Sequence, residues 1–501
     1  MAPPVTLKDR ERDILRLMAR GATDRAIASR LCLSEQTVRW YNKQCYLKLG
    51  VGSRQAAVER ATALGLISVP DVTATTPGVA RSPIAYVANE GVSIAYQVVG
   101  SGPVDLLFMS GFVSHLEMAW EEPECAAFLE ALGRVARVIL FDKRGVGLSD
   151  RHGGVATIDD MIRDAQCVLR AVGSTRVFVS GTSESGAAAI LLASMHPAIV
   201  RGLILIGTTP MTARQGAEPE WATPVAVLEQ RVAAIEARWG EPWAIERFAP
   251  SRVGNAEFER WWSRALRSAA SPATAALIVR RAMQVDVRTL LRHVQAPTLI
   301  LHRTEDQIVN VGAARYLAAQ MPNATLVELP GADHLYFVQS APVVREMTRF
   351  LAAPDVMAQA DTWVAIILHA HGVGARLDEQ KRGLLRACDA RHVTSGPQGW
   401  TALFDAPNRA IRCAQALAAL GPDHVGGMAL HVGAARLSDG AATGTAPTVA
   451  ARMAASAAAG QVLVTATLRD ILAGSPISLV AHSVEDGDDG APPMTIWQLT
   501  G

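Results

Sequence analysis

Three residues that lie far apart in the sequence form a set that could perform nucleophilic chemistry: Ser183, Asp306 and His334. Ser183 lies in residues 177–186, V-F-V-S-G-T-S-E-S-G, where a β-branched run enters a turn of small residues. An alanine-rich helical run, residues 187–193, follows. A sharp turn between a strand and a helix lifts one serine hydroxyl out of the backbone, where a base can reach it. Serine, then aspartate, then histidine is one of the chain orders in which catalytic triads occur.

The surroundings of the aspartate and the histidine fit the other two roles of a triad. Asp306 follows the apolar run T-L-I-L-H-R, and His334 follows T-L-V-E-L, both typical of strands. We predict that His334 takes the proton of Ser183, while Asp306 holds the imidazole tautomer and stabilises the imidazolium. Glu305 and Asp333 are adjacent acidic alternatives that rank below Asp306. A histidine beside an aspartate is more often structural, and only the ordered set of three favours catalysis.

Acyl transfer also needs amide donors for the negative charge that develops on the tetrahedral intermediate. The apolar run V-D-L-L-F-M ends at Met109 and leads into S-G-F-V. We predict that the amide of Phe112, or with less support that of Val113, forms an oxyanion hole with the amide of Glu184. The alternative is that S-G-F forms only a turn. The carboxylate of Glu184 could favour a charged His334 or exclude anionic substrates.

Residues 83–354 alternate short apolar runs with helical patterns, which is typical of buried parallel strands in a layered α/β fold. With the turn at Ser183 and the D-K-R-G-V-G-L-S-D loop at 142–150, this segment resembles the α/β-hydrolase superfamily. The resemblance implies a doubly wound, mostly parallel sheet with a helical cap at about 211–290, and it assigns the loop to scaffold and pocket wall. The turn departs from Gly-x-Ser-x-Gly at Ser185, where close packing of helix on strand calls for a small residue.

The cap segment contains five of the ten tryptophans, at positions 221, 239, 243, 261 and 262. They indicate an apolar lid over a small, mainly hydrophobic substrate, or else they form the core of the lid itself. A serine nucleophile favours hydrolysis of an ester, lactone or thioester. We expect no cofactor.

The N-terminal residues 1–68 are basic, with 12 lysines and arginines against 6 aspartates and glutamates, although the whole chain has a net charge of only +1. Such an end can contact a polyanion. The stretch 69–82 is rich in Pro, Thr and Gly and predicts a linker. Periodicity predicts three helices before it, with Ser34 as the N-cap of the third: residues 10–20, 24–31 and 34–49.

The third helix carries a polar face opposite a stripe that we expect to be buried, formed by Val38, Tyr41, Cys45 and Leu49. The text I-A-S-R-L-C-L-S-E-Q-T-V-R-W-Y, followed by Y-L-K-L-G-V-G-S-R, resembles the LuxR-type helix-turn-helix over about residues 5–62. The resemblance implies binding to double-stranded DNA as a homodimer on paired half-sites. It places four residues against the DNA: Thr37, Arg39, Trp40 and Lys43. The departure is Tyr41, where the family often has histidine, and the alternative is a basic face for protein contact.

Residues 358–501 form a third, alanine-rich segment. The runs F-D-A-P-N-R-A-I-R-C-A, A-L-H-V-G, V-A-A-R-M and G-Q-V-L-V-T-A-T-L-R-D resemble a class III nucleotidyl cyclase domain. The resemblance implies an α/β ferredoxin-like, cyclase-homology fold.

The residues that such a cyclase needs for its metal ions are missing. Ala370 and Gln398 stand at the places of the two metal-binding aspartates, and neither supplies the carboxylate oxygens that Mg²⁺ requires. Arg452 stands at the place of the phosphate-stabilising arginine, but its usual asparagine partner is Thr448. We therefore predict no metal site and no cyclase activity, and a role in dimerisation or sensing.

Taken alone, the sequence leads to a DNA-binding regulator with a serine hydrolase domain. A non-catalytic small-molecule sensor built on the same fold is the alternative, and a free-standing metabolic hydrolase has less support. No apolar run approaches the roughly 20 residues that span a bilayer, no signal peptide opens the chain, and the six cysteines are scattered. We expect a cytoplasmic protein that makes no membrane contact.

Overall fold

The computed structural model describes residues 7–19, 24–31, 33–64, 66, 79–152, 154–217, 219–353, 362–372, 376–438, 441–485 and 494–500. The chain divides into two compact units, Met1–Gly78 and Val79–Gly501. Within the described residues, no helix combines the length and the apolar character that crossing a bilayer requires.

The first unit is helical: α1 (Asp9–Ala19), α2 (Asp24–Leu31), α3 (Glu35–Leu49) and α4 (Arg54–Ala63). Helix α3 begins as predicted, because the Ser34 hydroxyl accepts a hydrogen bond from the Thr37 amide at 3.1 Å. The buried stripe differs from the prediction at one position. Tyr41 is only partly buried, and its neighbour Asn42 is buried instead, since Asp24 of α2 accepts a hydrogen bond from its side-chain amide at 3.0 Å.

Most of the predicted linker, residues 69–78, lies outside the described residues. Its last part belongs to the second unit, where Arg81 forms an antiparallel bridge with Val99 and the Ser82 amide donates to the Val98 carbonyl at 2.9 Å.

The first half of the second unit is a layered α/β fold, which we call the hydrolase half (residues 79–353). Its strands are β1 (Ala85–Asn89), β2 (Val92–Val99), β3 (Asp105–Met109), β4 (Arg137–Phe141), β5 (Val177–Thr182), β6 (Val200–Ile206), β7 (Ala213–Arg214), β8 (Thr223–Pro224), β9 (Thr298–Arg303) and β10 (Ala324–Leu329). Its helices are α5 (Leu116–Glu121), α6 (Pro123–Gly133), α7 (Ile158–Ala171), α8 (Ser185–Met195), α9 (Val225–Arg238), α10 (Ile245–Phe248), α11 (Ala256–Ala269), α12 (Pro272–Ala282), α13 (Val311–Gln320) and α14 (Ala341–Leu351).

The main sheet of this half has eight strands in the order β1-β2-β4-β3-β5-β6-β9-β10. From β4 to β10 the neighbouring strands are parallel, and β2 runs opposite to the others in this sheet, since it pairs antiparallel with both β1 and β4. The mostly parallel sheet is therefore confirmed. Strand order reverses direction around β3, so the loops after β3 and β5 face the crevice in which such sheets bind ligands. Elements β7, β8 and α9–α12 interrupt the alternation between β6 and β9, where the sequence predicts a cap.

The remainder of the second unit, which we call the C-terminal half (residues 362–500), is built on a second eight-stranded sheet. Its strands are β11 (Thr362–His371), β12 (His392–Gly396), β13 (Gly399–Phe404), β14 (Gly427–Ser438), β15 (Ala441–Thr443), β16 (Val462–Thr465), β17 (Leu479–Glu485) and β18 (Met494–Leu499). Its helices are α15 (Glu379–Ala387), α16 (Pro407–Ala418), α17 (Thr445–Ser456) and α18 (Ala466–Ile471). The order is β12-β13-β11-β14-β16-β18-β17, and β15 pairs with β14. Strand β11 lies between two antiparallel neighbours, β13 and β14.

The two halves of the second unit share one hydrophobic core, in which helix α8 packs against β11. At this junction the side-chain amide of Asn408 donates to the carboxylate of Asp159 at 2.8 Å, and Arg281 of the cap donates to the Gly474 carbonyl at 3.3 Å. The helix that starts directly after Ser183 therefore rests on the sheet of the C-terminal half.

Candidate active site and nucleic-acid interface

Strand β5 delivers Ser183 into a turn with an unusual backbone conformation. The φ of Ser183 is +52°, a left-handed value that costs energy for any residue with a side chain. The turn is held because the Ser183 amide donates to the Ile206 carbonyl at 3.0 Å and the Gly186 amide donates to the Ser183 carbonyl at 3.2 Å. Gly111 lies close by, since a Cβ there would come within 2.9 Å of the Ser183 Cβ. The fold thus presents one serine at the crevice above the sheet.

The three residues singled out in the sequence lie together at this crevice. His334 Nε2 lies 3.0 Å from Ser183 Oγ, and His334 Nδ1 lies 2.7 Å from Asp306 Oδ2. The other carboxylate oxygen of Asp306 accepts from the amides of Ile308 and Val309, at 2.8 and 3.1 Å. Because an ionised carboxylate only accepts hydrogen bonds, Nδ1 carries the imidazole proton and Nε2 can accept the serine proton.

Electrostatics keep the aspartate charged. Burial on its own would raise the pKa of the Asp306 carboxyl, but the charge and hydrogen bond of His334, together with His302 and the Val309 amide, outweigh it and lower the pKa. Burial lowers the pKa of His302, and its Nε2 donates to the Val309 carbonyl at 2.9 Å. A neutral His302 therefore lies beneath an ionised Asp306, and neither competes for the proton on His334.

The two acidic alternatives are placed differently. Asp333 accepts a hydrogen bond from the Ser251 amide at 3.0 Å, and Glu305 is exposed. In the part of the chain that the structure describes, neither of these carboxylates hydrogen-bonds His334.

Backbone donors are available beside the serine. Among the described residues, the amides of Phe112, Val113 and Glu184 have no hydrogen-bond acceptor within the protein. Phe112 and Val113 line the same cavity as Ser183, and Glu184 follows Ser183 directly. The choice between Phe112 and Val113 as the second donor stays a prediction.

A buried lysine that the sequence analysis missed neutralises the glutamate next to the nucleophile. Lys143 Nζ forms an ion pair with the Glu184 carboxylate, and both side chains are largely buried. The same ammonium group donates to the carbonyls of Gly111 and Phe112, at 3.3 and 3.4 Å. Lys143 therefore ties the Phe112 loop to the serine turn. The pairing also removes the basis for expecting Glu184 to exclude anionic substrates. The D-K-R-G motif contains this lysine, but its partner lies 41 positions away.

The departure from Gly-x-Ser-x-Gly at Ser185 is accommodated by a hydrogen bond. The buried Ser185 hydroxyl donates to the Ser110 carbonyl at 2.6 Å. Gly181 and Gly186 on either side also leave no room for a side chain. A Cβ would come within 2.6 Å of the Ala189 Cβ at Gly181, and within 2.0 Å of the Thr208 hydroxyl at Gly186. Ser185 is fully buried as well, so the need for a small residue at position 185 stays a prediction.

Two cavities contact Ser183. The first, of about 130 Å³, we call the apolar pocket, and its walls include Phe112, Leu129, Trp261, Trp262, Leu266 and Tyr336. The second, of about 100 Å³, we call the arginine pocket, and its walls include Thr212, Trp221, Arg231, Trp243, Arg247 and Ile308.

The cap tryptophans serve both of the purposes considered from the sequence. Trp221, Trp243, Trp261 and Trp262 line one cavity or the other. Trp243, Trp261 and Trp262 are also buried in the core that the cap shares with the sheet. Trp239 lines neither cavity among those described here. It packs edge-on against Phe112, and its indole N–H donates to the Ala270 carbonyl at 2.8 Å.

In the first unit, helix α3 exposes the residues assigned to DNA contact. Arg39, Trp40 and Lys43 are exposed, and Trp40 retains 56% of its surface. Thr37 is partly buried, and its hydroxyl hydrogen-bonds Ser34 at 2.7 Å. Arg39 has only a loose ion pair with Glu35, at 3.7 Å between exposed side chains, so its guanidinium remains available to a polyanion.

Comparison with known proteins identifies two domain classes. Residues 106–341 match the alpha/beta hydrolase fold, and residues 5–61 match the bacterial regulatory proteins of the luxR family. The chain therefore carries an α/β-hydrolase domain behind a LuxR-type helix-turn-helix domain, which is a DNA-binding class.

Individual relatives match about half of the chain. It is 27% identical over 252 residues to a pimeloyl-[acyl-carrier protein] methyl ester esterase of Nitrosomonas europaea, covering 49% of this chain and 94% of that protein. It is 26% identical over 266 residues to a 2-(acetamidomethylene)succinate hydrolase of Mesorhizobium japonicum, covering 51% and 90%. A crystal structure of a hydrolase from Pseudomonas aeruginosa aligns with 25% identity and a TM-score of 0.47, covering 54% of this chain and 99% of that one.

Proposed function

We propose that this chain is a DNA-binding transcriptional regulator whose hydrolase half is an active serine hydrolase for a small, mainly apolar ester, lactone or thioester. The observation that carries the proposal is the hydrogen-bonded series from Ser183 Oγ through His334 to Asp306. A ligand sensor needs a pocket, but it has no need of a base aligned on a serine that is held at positive φ.

The proposed reaction has two stages. Ser183 Oγ attacks the substrate carbonyl carbon while His334 Nε2 takes the hydroxyl proton, and Asp306 stabilises the imidazolium. The amides of Phe112 and Glu184 hold the oxyanion of the tetrahedral intermediate. His334 then gives its proton to the departing alcohol or thiol, which leaves an acyl group on Ser183. A water molecule, deprotonated by His334, attacks this acyl-enzyme; the acid product leaves and the serine hydroxyl is restored.

The named relatives support this class of reaction. One is named as a methyl ester esterase and the other as a hydrolase, and both match about half of this chain. The apolar pocket beside Ser183 supplies the hydrophobic surface that a small acyl or alkyl group requires.

Labelling of the full chain with a fluorophosphonate probe tests the proposal. We expect covalent labelling of the wild type and none of Ser183→Ala. Ser194→Ala is the matched control, because this buried serine of α8 donates only to the Ile190 carbonyl and should leave labelling intact. Equal silence from wild type and Ser183→Ala would contradict the hydrolase and favour the alternative, a non-catalytic small-molecule sensor.

One observation favours that alternative. Helix α8 starts at the serine turn and packs against β11 of the C-terminal half, so a ligand at the turn has a direct physical route to that half. In our proposal the C-terminal half is a catalytically inactive, cyclase-like module for dimerisation or sensing, since Ala370 and Gln398 supply no carboxylates for a metal ion. Formation of a cyclic nucleotide from ATP or GTP with Mg²⁺ would contradict this part.

For the first unit we propose that α3 contacts double-stranded DNA through Thr37, Arg39, Trp40 and Lys43, with the chain acting as a homodimer. The double variant Arg39→Ala/Lys43→Ala should abolish retardation of a short duplex in a gel. Wild-type binding should weaken steeply with salt, because each phosphate contact releases counterions.

A control of equal net charge separates recognition from simple attraction. Arg10 and Arg60 are exposed on α1 and α4, and Arg10→Ala/Arg60→Ala removes the same two charges away from α3. We expect this control to retain most of the binding. Retardation that survives in Arg39→Ala/Lys43→Ala would show that the recognition face is assigned wrongly.

A further inference from the structure

The arginine pocket is lined by two arginines as well as by Ser183. Arg231 comes from α9, Arg247 comes from α10, and both line the cavity that Ser183 also lines. The Nε of Arg231 is buried and has no hydrogen-bond partner. In the part of the chain that the structure describes, no carboxylate forms an ion pair with Arg231. Buried polar groups are almost always paired, so this guanidinium lacks the anion that its surroundings call for.

The acidic residues nearest to this pocket are already engaged. Glu184 lines the pocket, but its carboxylate is paired with Lys143. Asp306 acts on Arg231 through its charge, yet its oxygens are taken by His334 and two backbone amides. The pocket therefore carries an uncompensated positive charge next to the serine.

Arg247 does not relieve that charge. Within the described ranges its one ion pair is with the exposed Glu246, at 3.9 Å, which is a weak surface pair. Burial, and then the like charge of Arg247, lower the pKa of Arg231 to about 10, so the group is still cationic near neutral pH. Two like charges in one small cavity repel each other. An anion bound between them would attract both arginines and so offset that repulsion.

The neighbouring cavity differs in charge, because no lysine or arginine is among the described residues that line it. Both pockets contact Ser183, Phe112 and Phe248, but the apolar pocket is walled mainly by leucine and aromatic side chains. A substrate whose scissile bond lies over Ser183 can therefore extend an apolar group into one cavity and an anionic group into the other.

We propose that the arginine pocket is a carboxylate subsite, in which Arg231 and Arg247 bind a carboxylate carried by the substrate. A planar guanidinium matches a carboxylate in a two-pronged hydrogen-bonded geometry, and the cavity of about 100 Å³ admits a short chain. This inference rests on the proposed hydrolase function for turnover, and it narrows the substrate to an amphiphilic ester: apolar on one side of the reacting bond, with a carboxylate on the other.

Turnover of two matched esters by the full chain tests the subsite. Mono-p-nitrophenyl adipate and p-nitrophenyl hexanoate differ only in a terminal carboxylate in place of a methyl group. Arg231→Met should lower kcat/KM for the adipate ester by about 10- to 100-fold and change the hexanoate ester by less than about 3-fold, as expected for loss of a charge-assisted hydrogen bond. An equal change for both esters, or none for either, would overturn the subsite.

The control and the second variant come from the same part of the cap. Arg238→Met also lies on α9, but Arg238 is exposed and paired with Glu241 at 2.8 Å, so both rates should stay unchanged. If Arg231→Met does not fold, Arg247→Gln, which removes a more accessible group, should show the same selective loss for the adipate ester.

Binding to an inactive protein separates failure of this inference from failure of the proposed function. In Ser183→Ala, calorimetry should show that monomethyl adipate binds at least about 10-fold tighter than methyl hexanoate, and Arg231→Met should remove the difference. A wild type that hydrolyses neither ester but keeps this preference refutes the hydrolase and retains the carboxylate subsite. Equal affinities for the two methyl esters refute the subsite, whatever the turnover.

Discussion

The hydrolase half and the C-terminal half are built alike but differ in what lies at the ends of their strands. Each is an eight-stranded sheet with helices packed on it, and both contribute to one shared apolar core. In the hydrolase half, the loops after β5, β9 and β10 bring together Ser183, Asp306 and His334, the proposed nucleophile, acid and base. In our proposal, a few residues at strand ends are what gives one of these two layered sheets its chemistry.

Two histidines on the sheet of the C-terminal half have threonine hydroxyls as hydrogen-bond partners. His369 on β11 and His431 on β14 hydrogen-bond the hydroxyls of Thr401 and Thr465, at 2.9 and 3.3 Å. Burial lowers the pKa of both histidines to about 4, so they are neutral at ordinary pH. Among the described residues, neither histidine hydrogen-bonds a carboxylate, so neither has the partner that orients the base of a triad.

The largest expected effect is a loss of turnover in the hydrolase half when Asp306 is replaced. Asp306→Asn keeps the shape of the side chain but no longer fixes the Nδ1–H tautomer of His334, so kcat for an ester substrate should fall by about 10³- to 10⁴-fold. The measurement is steady-state hydrolysis of p-nitrophenyl hexanoate. Asp333→Asn is the matched control, because Asp333 bonds Ser251 and should lose far less activity. A comparable loss in both variants would mean that the acid is misassigned.

The next effect concerns the ion pair that joins the serine turn to the Phe112 loop. Lys143→Met leaves the Glu184 carboxylate buried without its cation, which should lower the free energy of unfolding by about 3–5 kcal/mol. The double variant Lys143→Met/Glu184→Gln removes both charges and should recover much of that loss. Denaturant unfolding of the four proteins in this cycle gives the coupling energy. A double variant that is no more stable than Lys143→Met would show that the two side chains act independently.

The sequence could predict the strands and the residues at their ends, but not the contacts between distant residues. The strands that end at Ser183 and before Asp306 and His334 are short β-branched runs bounded by turn residues, and these local signals were confirmed. The proposed triad could be predicted from the sequence because each member follows its own strand, and the ends of parallel strands meet at one edge of the sheet.

The residues that were missed depend on contacts that no local pattern contains. Lys143 pairs with Glu184, which lies 41 positions away in the sequence. Arg231 lies on a cap helix, and its neighbours in the sequence do not distinguish it from a solvent-exposed arginine. The exchange of Asn42 for Tyr41 in the core of the first unit depends on Asp24, which lies 18 residues away on another helix. Packing partners of this kind become visible only once the chain is folded.

The smallest expected effect is on the pH dependence of stability, and it comes from Asp159 at the junction of the two halves. Asp159 is almost fully buried there, and its pKa is raised to about 6, mainly by burial, although Arg163 and Asn408 act against the shift. The folded protein therefore holds a proton on Asp159 between about pH 4 and pH 6 that the unfolded chain has released. This group alone makes the free energy of unfolding fall as the pH rises through that window, by up to about 3 kcal/mol, and adds no slope above it.

Asp159→Asn isolates that contribution, because the amide matches the protonated acid in shape and can still hydrogen-bond Asn408. Buried histidines such as His196, whose pKa burial lowers to about 4, tilt stability the opposite way in the same window. The measured quantity is therefore the difference in unfolding free energy between wild type and variant. As the pH rises from 4 to 6, the variant should become progressively more stable relative to the wild type. Asp423→Asn is the control, because Asp423 is exposed. This variant should keep the pH profile of the wild type. Parallel profiles for wild type and Asp159→Asn would mean that Asp159 is already ionised in the fold, and that Asn408 of the C-terminal half donates to a charged carboxylate rather than to a neutral acid.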